Sequence, residues 1–280
     1  MSASDRFCLA GVMGWPIAHS RSPLLHNHWF AELGLKGSYV PLAIEVPKLG
    51  AALRALPALG FAGCNLTIPH KVEALGLIDR LDAAAKRIGA TNTIVVGKDG
   101  ELSGTNTDAW GFVQSILEKR PDWRAAAGPA LVVGAGGGAR AIVDGLLEQG
   151  CRDIRIANRT RARGEDIAKD FGSYVASIAW DERFSALAEA HLLVNATSQG
   201  MGGQAPLDLA LDRLRPEALV ADIVYTPLET KLLADARRRG NQTIDGLGML
   251  IHQARLAFNA WFGVLPAASP ELRAKIEATL

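Results

Sequence analysis

The chain has 280 residues, enough for two domains at about 100–200 residues each. Hydrophobic residues make up 49% and charged residues 21%, the balance of a folded globular protein, and a net charge of +1 offers no basic field for a nucleic-acid backbone. Three scattered cysteines, Cys8, Cys64 and Cys151, form neither a zinc pair nor a disulfide framework. Residues 1–14 are too short and mixed for a signal peptide, and no apolar run nears the roughly 18 residues of a membrane span, so the expectation is a cytoplasmic protein with no membrane or nucleic-acid partner.

In chain order, residues 7–12 read as a strand and residues 23–33 as a helix starting after Ser22. Residues 39–44 read as a strand, 47–56 as a helix with Pro47 in its first turn, and 61–68 as a third strand, with Pro69 opening another helix. This alternation predicts a mainly parallel sheet with helices on both faces. Residues 93–96 and 101–103, joined through Gly97 and Gly100, read as a hairpin. A helix is expected from Asp108, whose carboxylate suits a cap, to Lys119. After the linker-like residues 121–129, a second series begins with strands at 130–133, 153–157, 191–196, 219–224 and 243–245. The first of these leads into a helix over 138–149 stopped by Gly150, and two helices, 249–262 and 270–280, close the chain.

The sharpest local signal is Gly134-Ala135-Gly136-Gly137-Gly138-Ala139, which fits G-x-G-x-x-A between a buried strand and a helix. Gly134 suits the tight turn, Gly136 lets backbone amides approach a pyrophosphate, and the small Ala139 lets helix and strand pack closely. The helix N-terminus adds unpaired N–H groups and a positive dipole end. The alternative is a plain strand-to-helix connection. At the end of the next strand, where an acidic residue would take the ribose hydroxyls of NAD, the chain reads Asn158-Arg159-Thr160, followed by Arg161 and Arg163. A guanidinium forks onto a 2′-phosphate that a carboxylate would repel, so NADP(H) is favoured over NAD. A solvated basic helix start is the bland reading of the same arginines.

Further stretches complete a pattern. His19-Ser20-Arg21-Ser22-Pro23, Asn65-Leu66-Thr67-Ile68-Pro69-His70-Lys71, Gly89-Ala90-Thr91-Asn92-Thr93 and Gly104-Thr105-Asn106-Thr107-Asp108 resemble, in order, the motif set of the shikimate dehydrogenase family. Asn158-Arg159-Thr160, Asn195-Ala196-Thr197-Ser198 and Asp245-Gly246-Leu247-Gly248-Met249-Leu250 extend the resemblance over nearly the whole chain. It implies a reversible NADPH-dependent reduction of 3-dehydroshikimate to shikimate. It also implies two α/β domains, residues 1–107 with 247–280 for the substrate and a Rossmann-type NADP-binding domain over 108–246, with the active site in the cleft. Lys71 and Asp108 match the catalytic pair, Lys71 for proton transfer and Asp108 to orient it and bond the substrate hydroxyl. By matching positions, Ser20 and Ser22, with Tyr225, take the substrate carboxylate, and Thr67, Asn92, Lys71, Asp108 and Gln253 take the hydroxyls, while Asn65 braces the loop. Thr197, Ser198, Ile223 and Gly246 fall beside the nicotinamide, joining Gly134–Ala139, Asn158, Arg159, Thr160 and Arg163 as cofactor residues. Gln199 departs from the aliphatic residue frequent there, and Ala139 is a permitted variant of the third glycine.

Singly, these serines, threonines and asparagines read as turn or cap residues, Lys71 as a solvated helix start and Gln253 as a surface residue. No metal is expected: His26 and His28, two apart, face opposite sides of a helix, and His70, His191 and His252 are isolated. No G-x-S-x-G elbow points to a serine hydrolase. Quinate or quinate/shikimate dehydrogenase, or an aminoshikimate-using paralogue, remains open, as does a non-catalytic dinucleotide sensor, which the presence of Lys71 and Asp108 argues against. A monomer or homodimer working on small molecules is expected.

Overall fold

A computed structural model describes residues 7–280, which divide into two compact units. The first holds the described residues up to Thr107 and takes in Ile251–Thr279; the second holds Asp108–Leu250.

The first unit begins with β1 (Cys8–Gly14), α1 (Ser22–Glu32), β2 (Gly37–Ala43), α2 (Leu49–Ala55) and β3 (Gly63–Leu66). It continues through α3 (His70–Glu73), β4 (Arg80–Leu81), α4 (Ala83–Ile88), β5 (Thr93–Val96) and β6 (Leu102–Thr105). The strands form one sheet in the order β2-β1-β3-β5-β6-β4. Pairings β1–β2, β1–β3 and β4–β6 are parallel, and β3–β5 and the hairpin β5–β6 are antiparallel. One apolar cluster packs Met13, Cys64, Leu66, Ile94 and Leu102 of the sheet against Leu49 and Leu53 of α2. α4 has its ends written in sequence: Asp82 Oδ1 accepts from Ala85 N at 2.7 Å, and Gly89 closes it at φ +67°.

The second unit runs α5 (Asp108–Lys119), β7 (Ala130–Val133), α6 (Gly137–Glu148), β8 (Ile154–Ala157), α7 (Arg161–Phe171), β9 (Val175–Ile178) and α8 (Arg183–Ala186). β10 (Leu192–Asn195), β11 (Leu219–Asp222), α9 (Lys231–Arg238), β12 (Thr243–Ile244) and α10 (Gly246–Phe262) follow, and α11 (Pro270–Glu277) ends the chain. All six strands are parallel, in the order β12-β11-β10-β7-β8-β9. The sheet is covered on both faces, and the strand period of two divides its residues between two cores. Ala130, Val132 and Val194 enter one; Leu131, Val133 and Leu193 enter the other.

The C-terminal part of α10 returns to the first unit and supplies an aromatic layer. Trp29, Phe30 and His26 of α1 meet Phe258, Trp261 and Phe262 there, with His26 stacked on Tyr39 at 4.1 Å. Trp261 Nε1 donates to Ile94 O (2.8 Å) and Trp29 Nε1 to Ala267 O (3.1 Å), so the half-buried Trp261 and the buried Trp29 both have their indole N–H paired.

Some elements differ from the sequence-based expectation. The helix expected over 47–56 splits into a 3₁₀ turn, Val46–Lys48, and α2. Pro69 precedes α3 at its N-cap instead of standing inside it. Asp108 is the first residue of α5 rather than the residue before it. Strands β4 and β9 and helix α4 were not anticipated: β4 has two residues, too few for a period, and β9 has only Val175 buried.

Candidate active site

In the first unit, two of the predicted substrate residues, Asn92 and Gln253, hang on a buried amide–hydroxyl network. Asn65, on the fully buried β3, accepts from the Tyr39 hydroxyl at 2.7 Å and donates to Asn92 O and Thr93 Oγ1, both at 3.0 Å. Asn65 thus braces the β3–β5 junction. Asn92 Oδ1 accepts from Thr93 Oγ1 (2.9 Å) and Thr107 N (2.9 Å), while its Nδ2 donates to Thr107 Oγ1 at 3.0 Å. Gln253 of α10 joins through Oε1, 3.5 Å from both Asn92 Nδ2 and Thr107 Oγ1. Asn92 and Thr107 are 2% and 1% exposed, so their hydroxyl and amide orientations are set by these partners. Burial drives the Tyr39 hydroxyl well above the usual phenol range, which keeps it protonated and able to donate.

Lys71, half-buried at the start of α3, is held through its backbone: its carbonyl accepts from Thr91 N at 2.8 Å, next to Asn92. Thr67 lies just before it, with its amide on Met13 O (3.0 Å) and its carbonyl on His70 N (2.8 Å). Ser20 lies in the loop before α1 and Ser22 is its first residue, with Ser22 N donating to Ser20 Oγ at 3.3 Å. Asp108, 4% exposed, opens α5 in the second unit, and Tyr225 follows β11 there.

The second unit reverses its strand order at β7: β8 and β9 lie on one side, and β10 to β12 on the other. The glycine turn sits at the carboxyl end of β7, at this reversal, where open parallel sheets take their ligands. Gly134 has φ +116°, and a Cβ there would stand 2.9 Å from Ala196 O and Thr197 Cγ2. Gly136 is different. Its φ is −96°, and no atom lies within 4 Å of where its Cβ would be. The fold does not need glycine at 136, so the open space suits a pyrophosphate against the N-terminus of the twelve-residue α6. Ala139, fully buried, lets α6 pack on the sheet, and a Cβ on Gly138 would meet Ile223 Cδ1 at 3.0 Å.

Thr197 and Ile223 therefore stand at the turn on the β10–β11 side, and Ser198 follows Thr197 in the same loop. Gly246 packs directly on the Ile223 and Val224 backbone. Asn158, Arg159, Thr160 and Arg163 stand at the end of β8, on the opposite side of β7. Asn158 Nδ2 donates to Thr160 O at 2.8 Å, shaping the turn, and the two arginines are exposed. Sequence reasoning passed over Tyr39, Thr107, Asn195 and Asp222 as site-builders. Thr107 and Asn195 lay in the motifs, whereas nothing local marks Tyr39, and Asp222 shows only as an acid closing an apolar strand.

This strand order, with a glycine-rich turn at its reversal, defines a Rossmann-type dinucleotide-binding protein carrying a second α/β unit. The profile described as shikimate dehydrogenase substrate binding domain matches residues 12–94, that of shikimate / quinate 5-dehydrogenase residues 116–201, and that of shikimate 5'-dehydrogenase C-terminal domain residues 246–270. A protein of Rhodospirillum rubrum named shikimate dehydrogenase (NADP(+)) is 53% identical over 272 residues, 96% of each chain. Among solved structures, shikimate 5-dehydrogenase of Thermus thermophilus, in complex with NADP(H) and shikimate, is 36% identical with a TM-score of 0.86, covering 97% of this chain and 99% of the other. Quinate dehydrogenase of Corynebacterium glutamicum, in complex with NAD, is 30% identical with a TM-score of 0.89, covering 98% and 100%. The chain belongs to the shikimate dehydrogenase family.

Proposed function

We infer that the chain catalyses the reversible NADP(H)-dependent reduction of 3-dehydroshikimate to shikimate. The observation that carries this is the match along 96% of the chain, at 53% identity, to a protein named for that activity. The end of β8 supports the choice of cofactor, since Asn158 and Arg159 stand where an acid would serve NAD.

When bound, NADPH supplies the hydride for the substrate carbonyl carbon. Lys71 Nζ gives the proton to the carbonyl oxygen in reduction and takes it back in oxidation, with Asp108 orienting it and bonding the hydroxyl. Ser20 and Ser22, with Tyr225, hold the substrate carboxylate; Thr67, Asn92 and Gln253 bond the ring hydroxyls. Asn92 and Gln253 belong to the buried network, so they meet the ligand as oriented donors and acceptors rather than free rotors. Gly134, Ala135, Gly136, Gly137, Gly138 and Ala139 cradle the pyrophosphate, while Asn158, Arg159, Thr160 and Arg163 take the adenosine 2′-phosphate. Thr197, Ser198, Ile223 and Gly246 line the nicotinamide end.

A second reading, quinate or quinate/shikimate dehydrogenase, draws on the likeness to the Corynebacterium glutamicum enzyme. An aminoshikimate substrate would need one hydroxyl contact replaced. We read the protein as cytoplasmic, a monomer or homodimer: none of its three cysteines is in a disulfide, which suits a reducing compartment, and no described helix is long and apolar enough to cross a membrane.

The test is absorbance in the reduced-nicotinamide band, with shikimate and quinate each paired with NADP⁺ and NAD⁺. Fast reduction of NADP⁺ by shikimate alone is the expected result. Comparable quinate turnover would select the second reading, an NAD⁺ preference would remove the role given to Arg159, and NADPH binding without turnover would leave a sensor.

A further inference from the structure

The end of β11 carries a carboxylate that the proposed chemistry does not use. Asp222 is 2% exposed, and each of its bonds comes from an uncharged donor. Asn195 Nδ2 reaches both oxygens, at 3.0 and 3.1 Å; Val224 N donates at 2.9 Å and Thr230 Oγ1 at 2.8 Å. Asn195 is its register partner at the end of β10. The same asparagine holds the following loop: its Oδ1 accepts from Thr197 N (3.1 Å) and Thr197 Oγ1 (2.7 Å), and its Nδ2 also donates to Gln199 O (3.0 Å).

Asp222 thus ties together the loops leaving two neighbouring strands. Those loops press on the glycine turn, through Ala196 and Thr197 at Gly134 and through Ile223 at Gly138. A buried carboxylate without a cation is a demanding group to keep, and an apolar residue would close the strand without that demand. What the carboxylate adds is acceptor capacity for three donor groups at once, which an amide lacks.

We propose that Asp222 is the positioning residue for the nicotinamide end of the dinucleotide, acting through Asn195 on Thr197 and through the 223–230 turn on Ile223. This rests on the dinucleotide reading of the second unit and not on the identity of the substrate.

The experiment is a titration of NADPH fluorescence on the full chain, beside KM for shikimate and a thermal melt. Asp222→Asn turns one acceptor into a donor facing Asn195 Nδ2 or Thr230. It is expected to weaken NADPH binding about tenfold, by the worth of one buried bond to a charged group. KM for shikimate should rise less than the NADPH constant, since Asn92 and Gln253 hang on the other network and only Tyr225 lies in the 223–230 turn. The exchange variant, Asn195→Asp with Asp222→Asn, restores the cross-strand bond with donor and acceptor reversed, at the expense of the bond to Gln199 O. It is expected to recover most of the loss, and it decides the matter alone if Asp222→Asn does not fold. Unchanged NADPH affinity in Asp222→Asn, an equal rise in both constants, or a folded exchange variant that binds no better would overturn the proposal. A wild type that binds NADPH but turns over no shikimate would remove the substrate reading, and the NADPH titrations would still decide the role of Asp222.

Discussion

Gly134 and Gly136 stand two residues apart in one turn and need to be glycine for different reasons. At Gly134 the backbone itself demands it, because φ +116° and the contact with the Ala196 backbone and Thr197 Cγ2 leave no room for a Cβ. Gly134→Ala is expected to destabilise the protein by about 1–3 kcal/mol, the strain of a non-glycine residue in that region, which a thermal or denaturant melt would register. Gly136→Ala is expected to leave the melt unchanged while weakening NADPH binding; unaltered NADPH affinity in a fluorescence titration would refute the pyrophosphate assignment. Lys71→Ala should lower kcat by about 10²–10⁴-fold, the usual share of a general acid–base group, and still bind NADPH. A variant turning over near the wild-type rate would end the proton-transfer role. Such candidates stand out only as members of an ordered motif set, since a lone lysine or serine reads as surface or cap. Tyr39 was not legible at all: its partner Asn65 is 26 residues away, and only folding brings the two together.

Elements were most legible where they are long or buried on both faces. β7, Ala130–Val133, and α5, Asp108–Lys119, occupy the expected residues, and Gly150 takes φ +87° just after α6. The two-residue β4 and the half-exposed β9 lack the apolar period that reveals a strand. The layer formed by α1, β2 and α10 carries a chemical liability no pattern announces: His26 is fully buried, and neither ring nitrogen has a hydrogen-bond partner. Burial lowers its pKa from 6.5 to about 3. A folded pKa below the unfolded one gives stability that is present above pH 6.5 and is lost as pH falls towards 3. His26→Phe should flatten that loss in melts followed by tryptophan fluorescence across this window, and a slope equal to wild type would show that His26 does not carry it.

On the scale of the whole molecule, the two units should answer acid differently. Burial raises the Asp222 carboxyl in the second unit from 3.8 to about 6, so its contribution to stability is present below pH 3.8 and is lost as pH rises through 6. Between pH 6 and 4, His26 weakens the first unit on acidification while Asp222 favours the second. Hydrogen exchange at the two pH values is expected to show faster opening of β1–β3 and α1 at the lower one, with β10 and β11 no faster; uniform acceleration would contradict this. Synthesis order raises a separate matter. The first unit is written in two pieces, and its bonds from Trp29 to Ala267 and from Trp261 to Ile94 join positions 238 and 167 residues apart. On a ribosome, residues up to Thr107 emerge without the strip of helix that covers their aromatic layer, and they wait while a continuous 108–250 is made. The nascent chain therefore completes its second unit first and holds an open apolar face until residues 251–279 are released.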